Sequence, residues 1–369
     1  PMPALATTDE IVVLIGGAFL ILPVYHWIEL GSVPIMDAWL SQDYYEIALI
    51  RSEIGPSVHP LVNYLPTIVL KAGLPFVVVC LLHRGRNAVA FGFALAGMFY
   101  GISLLQKAYP LFVTVPPAVY LLLRWRIGGA AIMATAAIGA VAFLMLATNP
   151  TFRGSSDERA VPPSAESTAV DIAPTAPLVE RTPRSQGQDM PPAESSPPAA
   201  APAPAEPEKM ADVVENIVIS VFVRVVLIPG KAVTDWFGVF PAVHPFENGC
   251  GYRFLAPFLG CKHIPNAVVV WEHVFGAGFA GTGIKGSHGA AHFMEDYANF
   301  GQVGLMFAGV LAIGSIVVAA AMTARLGFAA AAAVNFPFIA TLSSTGLHTT
   351  LLSGGWGAML LLSLVWGRK

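Results

Sequence analysis

The sequence predicts an all-α, polytopic transmembrane helical bundle of about eight spans with a large extracytoplasmic loop. Three observations lead there. Charged residues are only 12% of the 369-residue chain and hydrophobic residues 55%, whereas soluble domains carry about 25% charged residues. Eight apolar runs are long enough to span a bilayer, or nearly so. The Arg residues of the short loops fall in alternate loops between those runs, with only Lys107 in the others, the pattern that sets membrane orientation.

The runs, in order, are Ile11–Trp27, Leu65–Leu82, Ala88–Leu105, Tyr109–Leu123, Ile127–Ala147, Ala298–Met322, Phe328–Leu342 and Leu347–Trp366. The first has no basic segment before it and no small-residue cleavage site after it, so it reads as a span and not a signal peptide. Tyr109–Leu123 is short and carries Pro116-Pro117. Phe328–Leu342 is short and carries Asn335 and Pro337. Such interrupted helices are tolerated where neighbours or a wet cavity satisfy the backbone. Arg84 and Arg86, Arg124 and Arg126, Arg325, and Arg368-Lys369 follow the second, fourth, sixth and eighth runs. Eight crossings therefore put both termini in the cytoplasm.

Four regions result: N-terminal transmembrane helices over 1–149, a linker over 150–211, an extracytoplasmic region over 212–297, and C-terminal transmembrane helices over 298–369. The linker holds 13 of the chain's 30 prolines. With repeated Ala, Ser and Glu it lacks the apolar surface to fold, and reads as disordered. Val213–Ile228 is apolar but interrupted by Glu215 and Arg224, which suits a helix lying on the interface better than a ninth span. Beyond it, Trp236-Phe237, Phe240-Pro241 and His244-Pro245-Phe246 suit an ordered interfacial loop. Cys80 sits in an apolar run. Cys250 and Cys261 flank a polar stretch and are not spaced as a zinc site; outside the cytoplasm they are able to form a disulfide. A net charge of -3 gives no reason to expect a nucleic-acid partner.

Chemistry is expected first at Gly276–Gly304. There a Gly-rich stretch runs into Glu295-Asp296, directly before an apolar span. Charges at the mouth of a span are costly unless they face water or a ligand. The pair fits a general base at the outer surface; it equally fits a helix start, where acidic residues complement the dipole. His288 and His292 stand at i and i+4, a spacing that on a helix presents two metal ligands, although Gly289 between them weakens any helix. Arg51, Arg224, Lys231, Arg253, Lys262 and Lys285 lie on the outer side and suit phosphate recognition, or simply serve as loop and snorkelling charges. Arg224 and Arg253 have apolar or aromatic neighbours. Lys71 lies inside the second span. His244 and His348 are candidate proton donors or structural histidines. There is no Walker A, GxSxG or HExxH motif, and no cofactor is called for.

Asp296-Tyr-Ala-Asn-Phe-Gly-Gln-Val-Gly304 resembles the corresponding segment of bacterial oligosaccharide repeat-unit polymerases, the Wzy-type O-antigen and exopolysaccharide polymerases. Phe222-Val-Arg224-Val-Val-Leu-Ile-Pro229 resembles the Arg-and-Pro segment before that family's outer loop. Leu351-Leu-Ser-Gly-Gly355 resembles the opening of its last helix. Together these cover roughly the C-terminal 150 residues. The family usually has more N-terminal spans, as if this chain were a partial sequence. The resemblance implies a glycosyltransferase of the inner membrane that needs no nucleotide sugar. Its substrate would be polyprenyl-pyrophosphate-linked oligosaccharide, and its surroundings membrane lipid and other polysaccharide-assembly proteins. On this reading Asp296 or Glu295 is the base, and Arg224 and Arg253 hold the pyrophosphate, with Arg51, Lys231 and His244 as further binding residues. An O-antigen ligase-like enzyme, or a transporter or scaffold without catalysis, are the alternatives.

Overall fold

The computed structural model describes residues 8–41, 43–54, 59–148, 223, 227–276 and 286–366. The chain divides into two units: Pro1–Asp157 with Pro229–Lys369, and Glu158–Ile228. The linker 150–211, Arg224 and nearly all of the expected interfacial helix lie outside the described residues, as do 277–285 of the Gly-rich stretch.

The first unit is all helical, with no strand among the described residues. Its N-terminal half comprises α1 (Thr8–Leu30), α2 (Pro34–Leu40), α3 (Tyr44–Glu53), α4 (Pro60–Asn63) and α5 (Leu65–Thr67). A π-helical segment, Ile68–Gly73, leads into α6 (Leu74–His83), and α7 (Asn87–Ser103), α8 (Ala108–Leu123) and α9 (Ile127–Ala147) come next. The C-terminal half comprises α10 (Ile228–Val239), α11 (Asn266–Phe275), α12 (His292–Thr323), α13 (Phe328–Thr341), α14 (Leu347–Leu352) and α15 (Trp356–Trp366). Every one of the eight apolar runs is therefore helical. Among the described residues, four helical stretches are long and apolar enough to cross a membrane: Val12–Leu30, Leu65–His83, Ile127–Ala147 and His292–Leu326. Asn87–Ser103, Ala108–Leu123, Phe328–Thr341 and Trp356–Val365 are apolar but shorter.

The bundle is built on α6. Every residue from Leu74 to Leu82 is buried, as expected of a helix that is apolar all round. Around it pack Tyr100 of α7, Val113 of α8, Phe338 of α13 and Trp356 of α15. Pro75, the second residue of α6, has no N–H to offer the carbonyl of Lys71, and the helix has π spacing over the preceding Ile68–Gly73. Few polar side chains are buried in the bundle; Thr114, Thr350 and Ser363 bond to backbone carbonyls one helical turn earlier, and three others form a chain. Trp356 Nε1 donates to Asn335 Oδ1 at 2.9 Å, and Asn335 Nδ2 donates to Thr323 Oγ1 at 2.9 Å. This ties α15, α13 and the end of α12 together. On the outer side of α12, by contrast, Met306, Val310, Ile313 and Val317 form an exposed stripe. An apolar surface of this kind suits lipid better than water.

Two predicted spans need correction. The last run, Leu347–Trp366, is not one helix: it breaks into α14 and α15 at Ser353-Gly354-Gly355, where Gly355 has φ 96°. The sixth run begins earlier than predicted, at His292, but is kinked at Gly301, with φ 62° and ψ -140°. The kink takes the carbonyls of Ala298 and Asn299 out of the helical ladder. They accept instead from the backbone N–H groups of Glu247 (3.0 Å) and Asn248 (2.8 Å). A buried backbone acceptor needs a partner, and here the loop after α10 supplies it.

That loop belongs to a second core. Trp236 of α10, Phe240 just after it, Val270 of α11, and Met294, Tyr297 and Ala298 from the first turns of α12 are buried against one another. Phe237 stacks on Tyr297 with centroids 4.1 Å apart. Cys250 and Cys261 are disulfide-bonded, closing the segment that carries Tyr252 and Arg253.

Candidate functional site

The segment His292–Phe300, short of the kink, presents both carboxylates. Asp296 accepts a hydrogen bond from the Tyr252 hydroxyl through Oδ1. Burial, and the carboxylate it serves, push the Tyr252 phenol well above its ordinary range, so it stays a donor. Glu295 Oε2 lies 3.4 Å from His348 Nδ1 on α14, without hydrogen-bond geometry to any described group. The Tyr252 ring meets the His348 ring edge-on, with centroids 4.8 Å apart. Two glycines make this closeness possible. A Cβ on Gly346 would overlap the Glu295 carboxylate, and one on Gly251 would overlap the Asn266 and Asn299 side chains. Asn299 fixes the loop to the helix: its Oδ1 accepts from Gly251 N at 3.0 Å, and its Nδ2 donates to the Glu295 carbonyl at 2.8 Å.

The two carboxylates open onto different spaces. Glu295 lines the more polar of two cavities, about 410 Å³, with Arg253, His263, Asn266 and Thr349 beside apolar residues such as Phe254 and Leu352. Asp296 lines an apolar groove of about 490 Å³ with Tyr252, Phe300, Phe307, Leu311 and Leu351. Phe254 and His348 belong to both. A molecule with an apolar tail and a polar head thus finds both environments side by side, with carboxylates at the junction.

Of the expected binding residues, Arg253 is exposed and lines the polar cavity. Arg224 lies outside the described residues. Arg51 is exposed in the last turn of α3 and lines neither cavity. Lys231 is paired with Asp235 four residues on, at 2.8 Å, and also lines neither. His244 contacts Glu247 at 3.0 Å. Glu247 itself is held above the usual carboxylate range by burial, against the opposing pull of His244 and His263.

His288 and His292 do not form a helical ligand pair, as Gly289 between them foreshadowed. Helix α12 starts at His292, so His288 precedes it and the two do not share a helix face. His288 Nε2 lies 2.8 Å from Asp235 Oδ2, whereas His292 Nδ1 lies 3.1 Å from the Leu342 carbonyl. Burial opposes ionisation of Asp235, but Lys231 and His288 outweigh it and hold that carboxyl below its ordinary range. These two histidines serve to fasten α10 and the loop after α13.

Tyr252, His263, Asn299 and Gly346 were not anticipated. Tyr252 adjoins Arg253 and Asn299 falls in the motif that carries the resemblance, so both lay close to a visible signal. Gly346 and His263 had none. No protein-family model, no curated protein and no solved structure matches this chain.

Proposed function

We propose that this chain is an integral membrane glycosyltransferase that polymerises polyprenyl-pyrophosphate-linked oligosaccharide repeat units at the outer face of the bacterial inner membrane. One observation carries the reading: the Glu295–Asp296 pair stands where an apolar groove meets a polar cavity containing Arg253. A lipid-linked oligosaccharide has an apolar chain, a doubly charged pyrophosphate and a polar glycan, in that order. The groove suits the first, Arg253 the second and the polar cavity the third.

In the proposed reaction Glu295 takes the proton from the acceptor sugar hydroxyl. The freed oxygen bonds to the anomeric carbon of the donor. The bond from that carbon to the pyrophosphate oxygen breaks, and the lipid pyrophosphate leaves with the electron pair. Glu295 suits the base because it faces the polar cavity and one of its oxygens is not engaged by a hydrogen bond. Asp296, engaged by Tyr252, orders the junction. Arg253 neutralises the leaving group. No nucleotide or metal enters this scheme. The reading includes eight crossings with both termini cytoplasmic, which sets the site at the outer surface among lipid and other assembly proteins.

The test is a gel of surface polysaccharide from cells lacking the gene and complemented with variants. Deletion is expected to collapse a ladder to single repeat units. Glu295→Gln is expected to lower polymerisation by about 10²–10⁴-fold, the usual contribution of a general base, and Arg253→Ala to reduce it strongly, both at normal protein levels. Full-length polymer from both variants would overturn the assignment. Polymer stranded on its lipid carrier after deletion would point to a ligase instead.

A further inference from the structure

A second cation lies apart from the carboxylates. Lys71 projects from the π-helical segment into a cavity of about 330 Å³. Its Nζ stands 4.7 Å from the Phe112 ring centroid and 5.9 Å from that of Tyr109. No carboxylate lines the cavity, and among the described residues none pairs with Lys71. A lysine within an apolar bundle is costly without a counter-charge. The rest of the lining is rich in donors, including Asn63, Tyr64, Thr345 and Thr349. Lys71 sits where the helix departs from α geometry, a common mark of functional positions.

The surroundings indicate what the anion is attached to. Phe112 and Thr341 of this cavity also line an apolar groove of about 250 Å³ between α8 and α13, with Leu111, Val115, Phe336 and Ala340. On its other side the cavity shares Tyr64, Thr349 and Ser353 with the polar cavity of Glu295 and Arg253. The spaces therefore run from the α8–α13 groove to the Lys71 cavity, then to the cavity that holds both Glu295 and Arg253, then to the groove lined by Asp296.

We propose that the Lys71 cavity binds the phosphate of a second polyprenyl-linked substrate, with its chain in the α8–α13 groove. This deepens the polymerase reading and rests on it for its meaning: a polymerase joins two lipid-linked molecules, and each would have its own groove and its own cation, with Glu295 between them. A phosphate without a prenyl chain has no use for the groove, which is why the occupant is a lipid.

Native mass spectrometry of the full chain in detergent, with polyprenyl pyrophosphate and separately with inorganic pyrophosphate, tests this. The wild type is expected to bind two lipids. Lys71→Met is expected to bind one, the remaining lipid showing that the protein is folded, and Lys71→Arg to restore two. Ala340→Trp, which fills the groove away from Lys71, is expected to bind one lipid as well. A single lipid on the wild type, two on Lys71→Met, or displacement of the second lipid by equimolar inorganic pyrophosphate would overturn the proposal. The readout is binding, so its failure is separable from that of the polymerase reading. Two Lys71-dependent lipids with an unchanged polysaccharide ladder would remove the activity and leave the site. A lost ladder with one bound lipid would do the reverse.

Discussion

At the scale of single residues, the site depends on what is small as much as on what is charged. Glu295 reaches His348 only because position 346 has no side chain. Gly346 has φ -57°, which any residue adopts, so the requirement is space and not backbone freedom. Gly346→Ala is therefore expected to leave α14 intact and push the Glu295 carboxylate aside. Displacing a reacting group by about 1 Å costs roughly a hundredfold in rate, and polymer length on a gel is expected to fall accordingly at unchanged protein level. Polymer of normal length from this variant would mean that Glu295 does not act from the position seen here. The carboxylates themselves were legible, because charge before an apolar run is conspicuous. The glycine was not, since its role depends on a residue 51 positions earlier in the chain. Histidines 288 and 292 show the same dependence on context. Their spacing has meaning only on a helix, and the helix begins at the second of them.

At the scale of elements, the decisive feature is the break in α12. Without it, His292–Thr323 would be a single rod, and Ala298 and Asn299 would bond within the helix. With it, those carbonyls capture the backbone of Glu247 and Asn248, and the loop carrying Tyr252 and Arg253 docks beside Glu295. Gly301 occupies φ 62° and ψ -140°, a region costly for any residue with a Cβ. A Cβ there would also stand 3.0 Å from the Phe246 ring. Gly301→Ala is expected to destabilise the protein by about 1–3 kcal/mol, seen as a lowered thermal midpoint in detergent, and to lower activity further by loosening the loop. An unchanged midpoint would show that the break is not held by this residue. Continuous apolar runs located the helical regions, because long stretches without charge have few other uses. They did not locate the breaks at Gly301 and at Gly354-Gly355, since hydropathy averages over the one or two residues that turn the chain.

At the scale of the whole molecule, the arrangement makes sense only with a direction across the membrane. Glu295, Arg253, His348 and Lys71 meet in adjoining cavities. Arg124 belongs to the turn between α8 and α9, and Ser343 to the turn between α13 and α14. Eight crossings place these two turns on opposite sides, with Ser343 on the side of the carboxylates. A cysteine at either place reports that directly, because Cys80 is buried and Cys250 and Cys261 are bonded to each other. Ser343 and Arg124 are both exposed, so Ser343→Cys and Arg124→Cys are expected to fold and to offer a reactive thiol. In intact spheroplasts a membrane-impermeant maleimide is expected to label Ser343→Cys at once. Arg124→Cys is expected to react only after the membrane is opened. Labelling of both from outside would remove the eight-crossing arrangement, since two exposed thiols on one face require an even number of crossings between α8 and α14. The reverse pattern would turn the molecule over and bring the carboxylates to the cytoplasm. Lipid-linked units are not joined there in the proposed reaction, so that result would end the polymerase reading even if every side chain in the site were in place.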